Sequence, residues 1–334
     1  MNKNVLITGG AGFIGSHFVE QFSHHFPGHK IINLDKLTYA SIDPKTIKCS
    51  KNCTFIKGDI TDTHLLKDIF ERYLIDTVIH FAAETHVDNS IANPRAFIQS
   101  NIQGTFELLE MAKINWMDSQ FKLKPEFTQA RFIHVSTDEV YGSLDKNSHF
   151  TENSPYSPNS PYSASKASSD FLAKSFWSTY AFPVIITHCS NNFGPRQHLE
   201  KLIPKTINSI IKNQAIPIYG NGENVRDWLF VTDHCDAIEL ILEKGLLGET
   251  YNIGTRNEMS NLNLVKNICE VLDQLQVNTK TKHSYELVKF VEDRLGHDLR
   301  YSIDPSKLES LGWKSKATFK ESLTQTIKWY IDLL

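Results

Sequence analysis

The sequence predicts an α/β protein built on a doubly wound parallel sheet. Three observations predict it. Short apolar runs alternate with helical patterns through the first 190 residues, a glycine triplet follows the first run, and an acidic residue ends the second.

The runs are NVLITG (4–9), KIINLD (30–35), CTFIKGD (53–59), DTVIHFAA (76–83), RFIHVST (131–137) and PVIITHCS (183–190). They are rich in Val and Ile and do not alternate with polar residues, as expected of parallel strands covered on both faces. Helical patterns lie between them at 13–26, 62–73, 94–116 and 160–180, and the longer connection at 116–130 is expected at the surface. Beyond residue 190 the rhythm changes. A helix in GPRQHLEKLIPKTINSIIKNQ precedes a strand, a Gly-rich turn, a short strand and a helix in IPIYGNGENVRDWLFVTDHCDAIELILEKG, and TYNIGT adds another short strand. No repeat or low-complexity linker separates the halves. The expected division is a cofactor-binding domain over 1–190 that takes back part of 228–256, and a smaller, discontinuous, mixed α/β substrate domain over 191–334. Ligands bind outside the carboxyl ends of such strands, here in a cleft between the two parts.

The totals narrow the class. The 334 residues are 40% hydrophobic and 22% charged, as in globular proteins, and the net charge of −3 lends no support to a nucleic-acid or membrane-surface role. MNKNVLITGG begins a strand at once, with no secretory pattern, and no apolar run is long enough to span a bilayer. The five cysteines (Cys49, Cys53, Cys189, Cys235 and Cys269) are odd in number and lack metal-site spacing. Free thiols in a reducing cytoplasm, with no metal, are expected.

VLITGGAGFIGSHFVEQF sets Gly9, Gly12 and Gly15 between the first strand and first helix, with Phe13 and Ile14 opening that helix. Glycines at this spacing allow a tight turn, close approach of a pyrophosphate to backbone N–H groups, and close helix-on-strand packing. Asp35 ends the second strand, before Lys36 and Thr38. An acidic residue there accepts from ribose hydroxyls and repels a 2′-phosphate, which argues for NAD over NADP. Asp59 and Ile60 are placed as adenine neighbours, with Asp59 as a helix cap the alternative. Ala82 and Ala83 are small enough to let a cofactor pass.

Tyr162 and Lys166 stand four residues apart on a helical pattern and so share a face. An ammonium beside a phenol favours the phenolate, which can take a proton from a sugar alcohol while hydride leaves carbon for nicotinamide. Thr137, Asp138 and Glu139 follow the strand expected to flank the nicotinamide. On a continuing strand the two carboxylates would face opposite ways. Turned into a loop or helix start, both would reach the cleft, one as an acid and the other as a base, if their surroundings separate their pKa values. A capping Asp138 with a solvated Glu139 is the plainer reading.

The glycine turn with the Tyr-x-x-x-Lys pair is the pattern of the extended short-chain dehydrogenase/reductases. Together, ITGGAGFIGSHF, DKLTYAS, GDITD, HFAAETHVDNSI, VSTDEVYG, PYSASKASSD, SNNFGPRQHLEKLIPKTI, IPIYGNGENVRDWLFV, YNIG and VEDRLGHDLRYSID resemble the dTDP-glucose 4,6-dehydratases of that superfamily, over nearly the whole chain. The resemblance implies a Rossmann-type hydro-lyase that recycles bound NAD. Tyr162 would deprotonate the glucose 4-hydroxyl, helped by Thr137. Glu139 would take the C5 proton, Asp138 would protonate the departing C6 hydroxyl, and Lys166 would also hold the nicotinamide ribose. Asn191, Lys201, Leu202, Pro217, Tyr219, Arg226, Asn261, Arg294, His297 and Tyr301 become candidates for the nucleotide sugar. Arg226 and Arg294 suit a diphosphate, because guanidinium forks take phosphate oxygens in pairs. His86 and Asp88 line the glucosyl pocket or serve local hydrogen bonding. Departures fall at Leu295, Asn89 and Ser41, where proline, a basic residue and glycine are usual. The same dehydration of another nucleotide sugar such as UDP-glucose, or an epimerase of the same fold, are the alternatives. The resemblance also implies a homodimer through 94–116 and 160–180, where Phe171, Leu172, Phe176 and Trp177 suit either a bundle or an internal core.

Overall fold

The structure is a computed structural model that describes residues 2–145, 148–277 and 283–334. Its strands are β1 (Asn4–Thr8), β2 (Lys30–Asp35), β3 (Cys53–Lys57), β4 (Thr77–His80), β5 (Arg131–Thr137), β6 (Val184–Cys189), β7 (Asn191–Phe193), β8 (Ile216–Tyr219), β9 (Val225–Phe230), β10 (Thr250–Ile253), β11 (Glu258–Ser260) and β12 (Val288–Val291). Its helices are α1 (Phe13–His25), α2 (Thr63–Tyr73), α3 (Val87–Ala92), α4 (Pro94–Phe97), α5 (Gly104–Trp116), α6 (Pro161–Tyr180), α7 (Leu202–Ile211), α8 (Val231–Lys244), α9 (Asn261–Gln274), α10 (Ser306–Ser310) and α11 (Phe319–Leu333).

Seven strands form one sheet in the order β10-β6-β5-β4-β1-β2-β3, every pair parallel. The chain order reverses between β1 and β4, the switch point where such sheets open a crevice. One face packs under α1 and α8 through Phe18, Phe22, Ile238 and Ile241. The other packs under α2, α5 and α6 through Phe70, Leu108, Trp116 and Phe176. Trp116 stacks on Phe182 at 5.4 Å and donates its indole N–H to the Ile75 carbonyl at 2.6 Å. Strands β4, β5 and β6 are buried along both faces. β3 departs from that expectation: Thr54, Phe55 and Lys57 are exposed, because β3 is the sheet edge and has a neighbour on one side only.

The helical pattern over 94–116 is not one helix. α4 runs into a π-helical segment, Ile98–Gln103, before α5. The wider turn presents Asn101, whose side chain accepts from Glu84 N–H at 2.8 Å and donates to Ser165 Oγ at 2.8 Å. One amide thereby ties the loop after β4 to α6. Such π segments concentrate at functional sites.

The later residues pack a separate core from α7, α9, α11 and β9, centred on Ile207, Trp228, Leu264 and Ile327. β9 pairs with β7 and β11, and β8 pairs with β12. The chain then returns β10 to the large sheet beside β6. Among the described residues no helix is long and apolar enough to cross a membrane.

Candidate active site

The carboxyl ends of β1, β2, β4, β5 and β6 open into one cleft. Gly9, Gly12, Phe13, Ile14, Gly15, Asp35, Lys36, Thr38, Asp59, Ile60, Ala82 and Ala83 line its first part, and Thr137, Asp138, Glu139, Tyr162, Lys166, Asn191 and Lys201 its second.

At the first turn Gly9 has φ +72°, and a Cβ there would sit 2.6 Å from Ala82 N. Gly15 lets α1 lie against that turn, since a Cβ there would meet Gly9 O at 2.2 Å. Gly12 caps α1 without a side chain, and the first turn holds no acidic residue. The helix therefore offers free N–H groups and the positive end of its dipole to the cleft, a fit for a dinucleotide pyrophosphate. Asp35 is buried and accepts from Ala11 N–H at 2.9 Å on Oδ2, and from Leu37 N–H at 2.7 Å and Ser41 Oγ at 3.1 Å on Oδ1. A carboxylate offers about four acceptor positions. Three bonds fix Asp35 and leave one position on Oδ2 for a ribose hydroxyl. Lys36 donates to Ser100 Oγ at 2.9 Å and lies 3.4 Å from Glu84 and 3.8 Å from Asp59. Asp59 accepts from Thr61 N–H at 3.0 Å, while the cap of α2 is Asp62.

At the second part the chain leaves β5 through a 3-10 turn, Asp138–Tyr141, so both carboxylates reach the cleft. Thr137 caps the turn: Oγ1 accepts from Glu139 N–H and donates to Asp138 Oδ1, each at 3.3 Å. The two acids have different surroundings. Burial pushes Asp138 well above the usual carboxylate range, the charges of Glu139 and Asp227 push it further, and Arg226 opposes them. Its Oδ2 is buried with no protein partner among the described residues. Burial and then Asp298 also raise Glu139, which stays above the usual glutamate range, though the charges of Arg226, Lys201 and Arg294 favour its ionised form.

Tyr162 lies in the first turn of α6, which Ser160 and Ser163 close with a reciprocal capping box. Its phenol is pushed well above its ordinary value by burial and then by the Glu139 charge, while a hydrogen bond with Thr137 acts the other way. This corrects the expectation that Lys166 holds Tyr162 low. The ammonium is spent elsewhere, donating to the Val135 carbonyl at 2.9 Å. Burial pulls Lys166 below the usual lysine value, against the charge of Asp170.

The other candidates form a second cluster. Arg226 donates to the carbonyls of Val225, Asp298 and Leu299 at 2.8–3.3 Å and lies 4.3 Å over the Tyr301 ring. Tyr301 donates to Asp298. Arg294 donates from Nη2 to Asp88 Oδ2 at 3.1 Å, with its Nε 2.8 Å from Oδ1 in the ion pair, and lies 5.0 Å over Tyr219. His297 pairs with Asp293 at 2.7 Å. His86 caps α3 and sits 3.9 Å from both Asp88 and Glu200, and Lys201 donates to the Thr85 carbonyl at 3.0 Å. Leu202 and Asn261 open α7 and α9, and Pro217 lies in β8; all three are half-buried and outside the ring of contacts just described. The cleft also holds Ser100, Glu84, Gln197, His198 and Glu200, which were not among the expected residues. The QHLEK stretch carried the signal for the last three.

Comparison with known proteins matches this arrangement. The family profile described as "GDP-mannose 4,6 dehydratase" covers residues 6–326. The dTDP-glucose 4,6-dehydratase of Haemophilus influenzae is 48% identical over 98% of both chains. This chain belongs to the dTDP-glucose 4,6-dehydratase family. A crystal structure of the Streptomyces venezuelae dTDP-glucose 4,6-dehydratase, with NAD bound, superposes with a TM-score of 0.87 at 42% identity, over 98% of this chain and 97% of that one. A UDP-glucose 4-epimerase of Thermotoga maritima reaches 0.85 at 27% identity, over 99% of each chain. The fold is therefore common to dehydratases and epimerases, and the family is told by sequence.

Proposed function

We propose that this chain dehydrates dTDP-glucose to dTDP-4-keto-6-deoxyglucose with NAD as a recycled cofactor. The observation that carries this is the Asp138–Glu139 pair: adjacent acids on one cleft beside Tyr162, both raised by burial but with three cations acting on Glu139 and one on Asp138. Bound in the cleft, NAD supplies reversible hydride acceptance. Tyr162 acts in its phenolate form, which the Thr137 hydrogen bond favours against burial and the Glu139 charge, and takes the 4-hydroxyl proton. A 4-ketone acidifies the C5 hydrogen, which Glu139 removes, since three cations favour its ionised form. Asp138, held protonated by burial, donates to the departing C6 hydroxyl. Elimination across C5 and C6 needs a further base and acid together, whereas epimerisation at C4 needs only the tyrosine. Arg226 and Arg294 serve the diphosphate, Arg294 exchanging Asp88 for it, with Tyr219, His297, Tyr301, Asn191 and Lys201 around them. We divide the chain at about residue 190, with β10 belonging to the cofactor half, and place the protein in the cytoplasm on its free cysteines. We further propose a homodimer. Ile98 and Phe106 before and on α5, and Phe171 and Trp177 on α6, leave apolar surface exposed, while Phe176 is buried in the core.

The test is incubation with dTDP-glucose in deuterated water, with UDP-glucose beside it, read by mass spectrometry and NMR. Loss of one water, one deuterium at C5 and no net NADH are expected. Accumulating NADH, or a C4 epimer without water loss, refutes the dehydratase reading. Faster turnover of UDP-glucose reassigns the base.

A further inference from the structure

Behind Tyr162 and Lys166 lies a buried polar cluster that none of the steps above uses. Its centre is Asp170, one helical turn beyond Lys166 and fully buried. His188 Nε2 lies 2.9 Å from Oδ2 and Ser136 Oγ donates to the same oxygen at 3.0 Å, while His134 Nε2 lies 3.1 Å from Oδ1 and 3.1 Å from Ser169 Oγ, its hydrogen-bond partner. The donors come from two adjacent strands, β5 and β6, beneath α6. The cluster reaches further: Tyr141 OH lies 2.6 Å from His188 Nδ1, and Tyr156 OH 2.9 Å from His188 Nε2. Lys174 donates to Tyr156 OH at 3.0 Å. On the other side His80 lies 5.4 Å from the His134 ring.

A lone carboxyl at such depth would take a proton. Burial does push Asp170 up, but the hydrogen bonds from His134 and His188 overcome it and hold the group below the usual carboxylate range. Lys166 has the opposite need. Its ammonium is buried, and its hydrogen bond goes to a neutral carbonyl, Val135 O. The titratable groups facing it are Tyr162 and Asp170 on α6, His134 on β5, Cys189 and His188 on β6, and His80 on β4, with Asp138 and Glu139 in the turn after β5. Burial holds His134 near 4, His80 far below its ordinary value, and the Cys189 thiol up at about 12, so these three are neutral at neutral pH. Asp138 is held protonated, and Glu139 is engaged by Arg226, Lys201 and Arg294. The fixed negative charge left is Asp170, one helical turn from Lys166 and without a direct ion pair to it, whose field favours the ammonium.

We infer that Asp170 is a positioning residue: its carboxylate, fixed by His188 and Ser136 with His134 close by, keeps the Lys166 ammonium behind Tyr162 charged. The assignment rests on the proposed dehydratase reading only through the choice of substrate.

The test is Asp170→Asn, with first-turnover NADH formation from dTDP-glucose followed by fluorescence across pH. Without the counter-charge Lys166 loses its proton at lower pH, so the alkaline limb should move down by about one unit or more. In Asp170→Asn combined with Lys166→Arg, whose guanidinium stays charged, the limb should not move. A limb that stays in place in Asp170→Asn overturns the inference. Should that variant not fold, the 13Cε shift of Lys166 in the unaltered chain, assigned by its loss in Lys166→Arg, reads the same charge. A neutral amine at about pH 8 overturns the inference, and a charged one supports it. An unaltered chain that forms no NADH from dTDP-glucose would instead sink the dehydratase reading and leave the charge measurement standing.

Discussion

Replacing Glu139 by Gln keeps the volume and removes the base. Two effects follow. First, proton removal from C5 loses its acceptor, and a positioned general base contributes about 100- to 10,000-fold, or about 2.7–5.5 kcal/mol of barrier. Second, the Glu139 charge contributes to holding both Asp138 and Tyr162 high. Its loss eases ionisation of Tyr162 and favours the oxidation step. The variant should therefore oxidise C4 at least as readily as the unaltered protein and stall before elimination. Rapid mixing with dTDP-glucose should show a burst of bound NADH fluorescence approaching the enzyme concentration. Release of 4-keto-6-deoxy product should fall by the stated factor. Arg226, Lys201 and Arg294 lose a facing anion, so substrate diphosphate should bind no more weakly. Unchanged turnover, or a fall with no NADH build-up, would refute Glu139 as the C5 base.

Gly15→Ala should weaken NAD binding about 5- to 150-fold, because the added methyl meets backbone at Gly9 O, 2.2 Å away, and Gly10 Cα, 2.9 Å away. Forcing the turn apart costs about 1–3 kcal/mol, so the thermal shift that a fixed NAD concentration gives the unaltered chain should shrink accordingly; an undiminished shift contradicts the cradle. The pH–rate profile should be a bell. Glu139 must be ionised and is raised, so the acid limb should lie above an ordinary glutamate's. Asp138 must be protonated and Lys166 charged, so activity falls as pH rises through whichever titrates first; a rate that keeps climbing with pH excludes Asp138 as the acid. Phe171→Glu with Phe106→Glu should convert a dimer to a monomer in sedimentation velocity, and a variant that stays dimeric moves the interface elsewhere.

Much of the parallel sheet could be read locally, because β1, β4, β5 and β6 are buried on both faces and need apolar residues throughout. β3 misled: whether a strand is central or at an edge depends on sheet order, which its own residues do not encode. The single helix expected at 94–116 failed for a similar reason. The π segment is fixed by Asn101 bonding across to Glu84 and Ser165, partners that lie in other elements. The cleft-lining glycines, Asp35 and the Tyr162–Lys166 pair carry their signal in spacing. What separates Asp138 from Glu139 does not, since the deciding charges, Lys201, Arg226 and Arg294, come from 62 to 155 positions later in the chain. The expectation for Tyr162 went wrong because spacing puts Lys166 on the right face without saying where its ammonium points.

The return of β10 to the large sheet constrains how this architecture could be recombined. A cut after residue 190 would strip β6 of its outer neighbour and leave a buried, apolar strand as an open edge, prone to pairing with other chains. A graft of the later residues onto another protein's cofactor half would carry β10 with it, and β10 would have to find register against a foreign β6. The nucleotide-sugar site is therefore more readily altered by point changes within it than by exchanging whole modules.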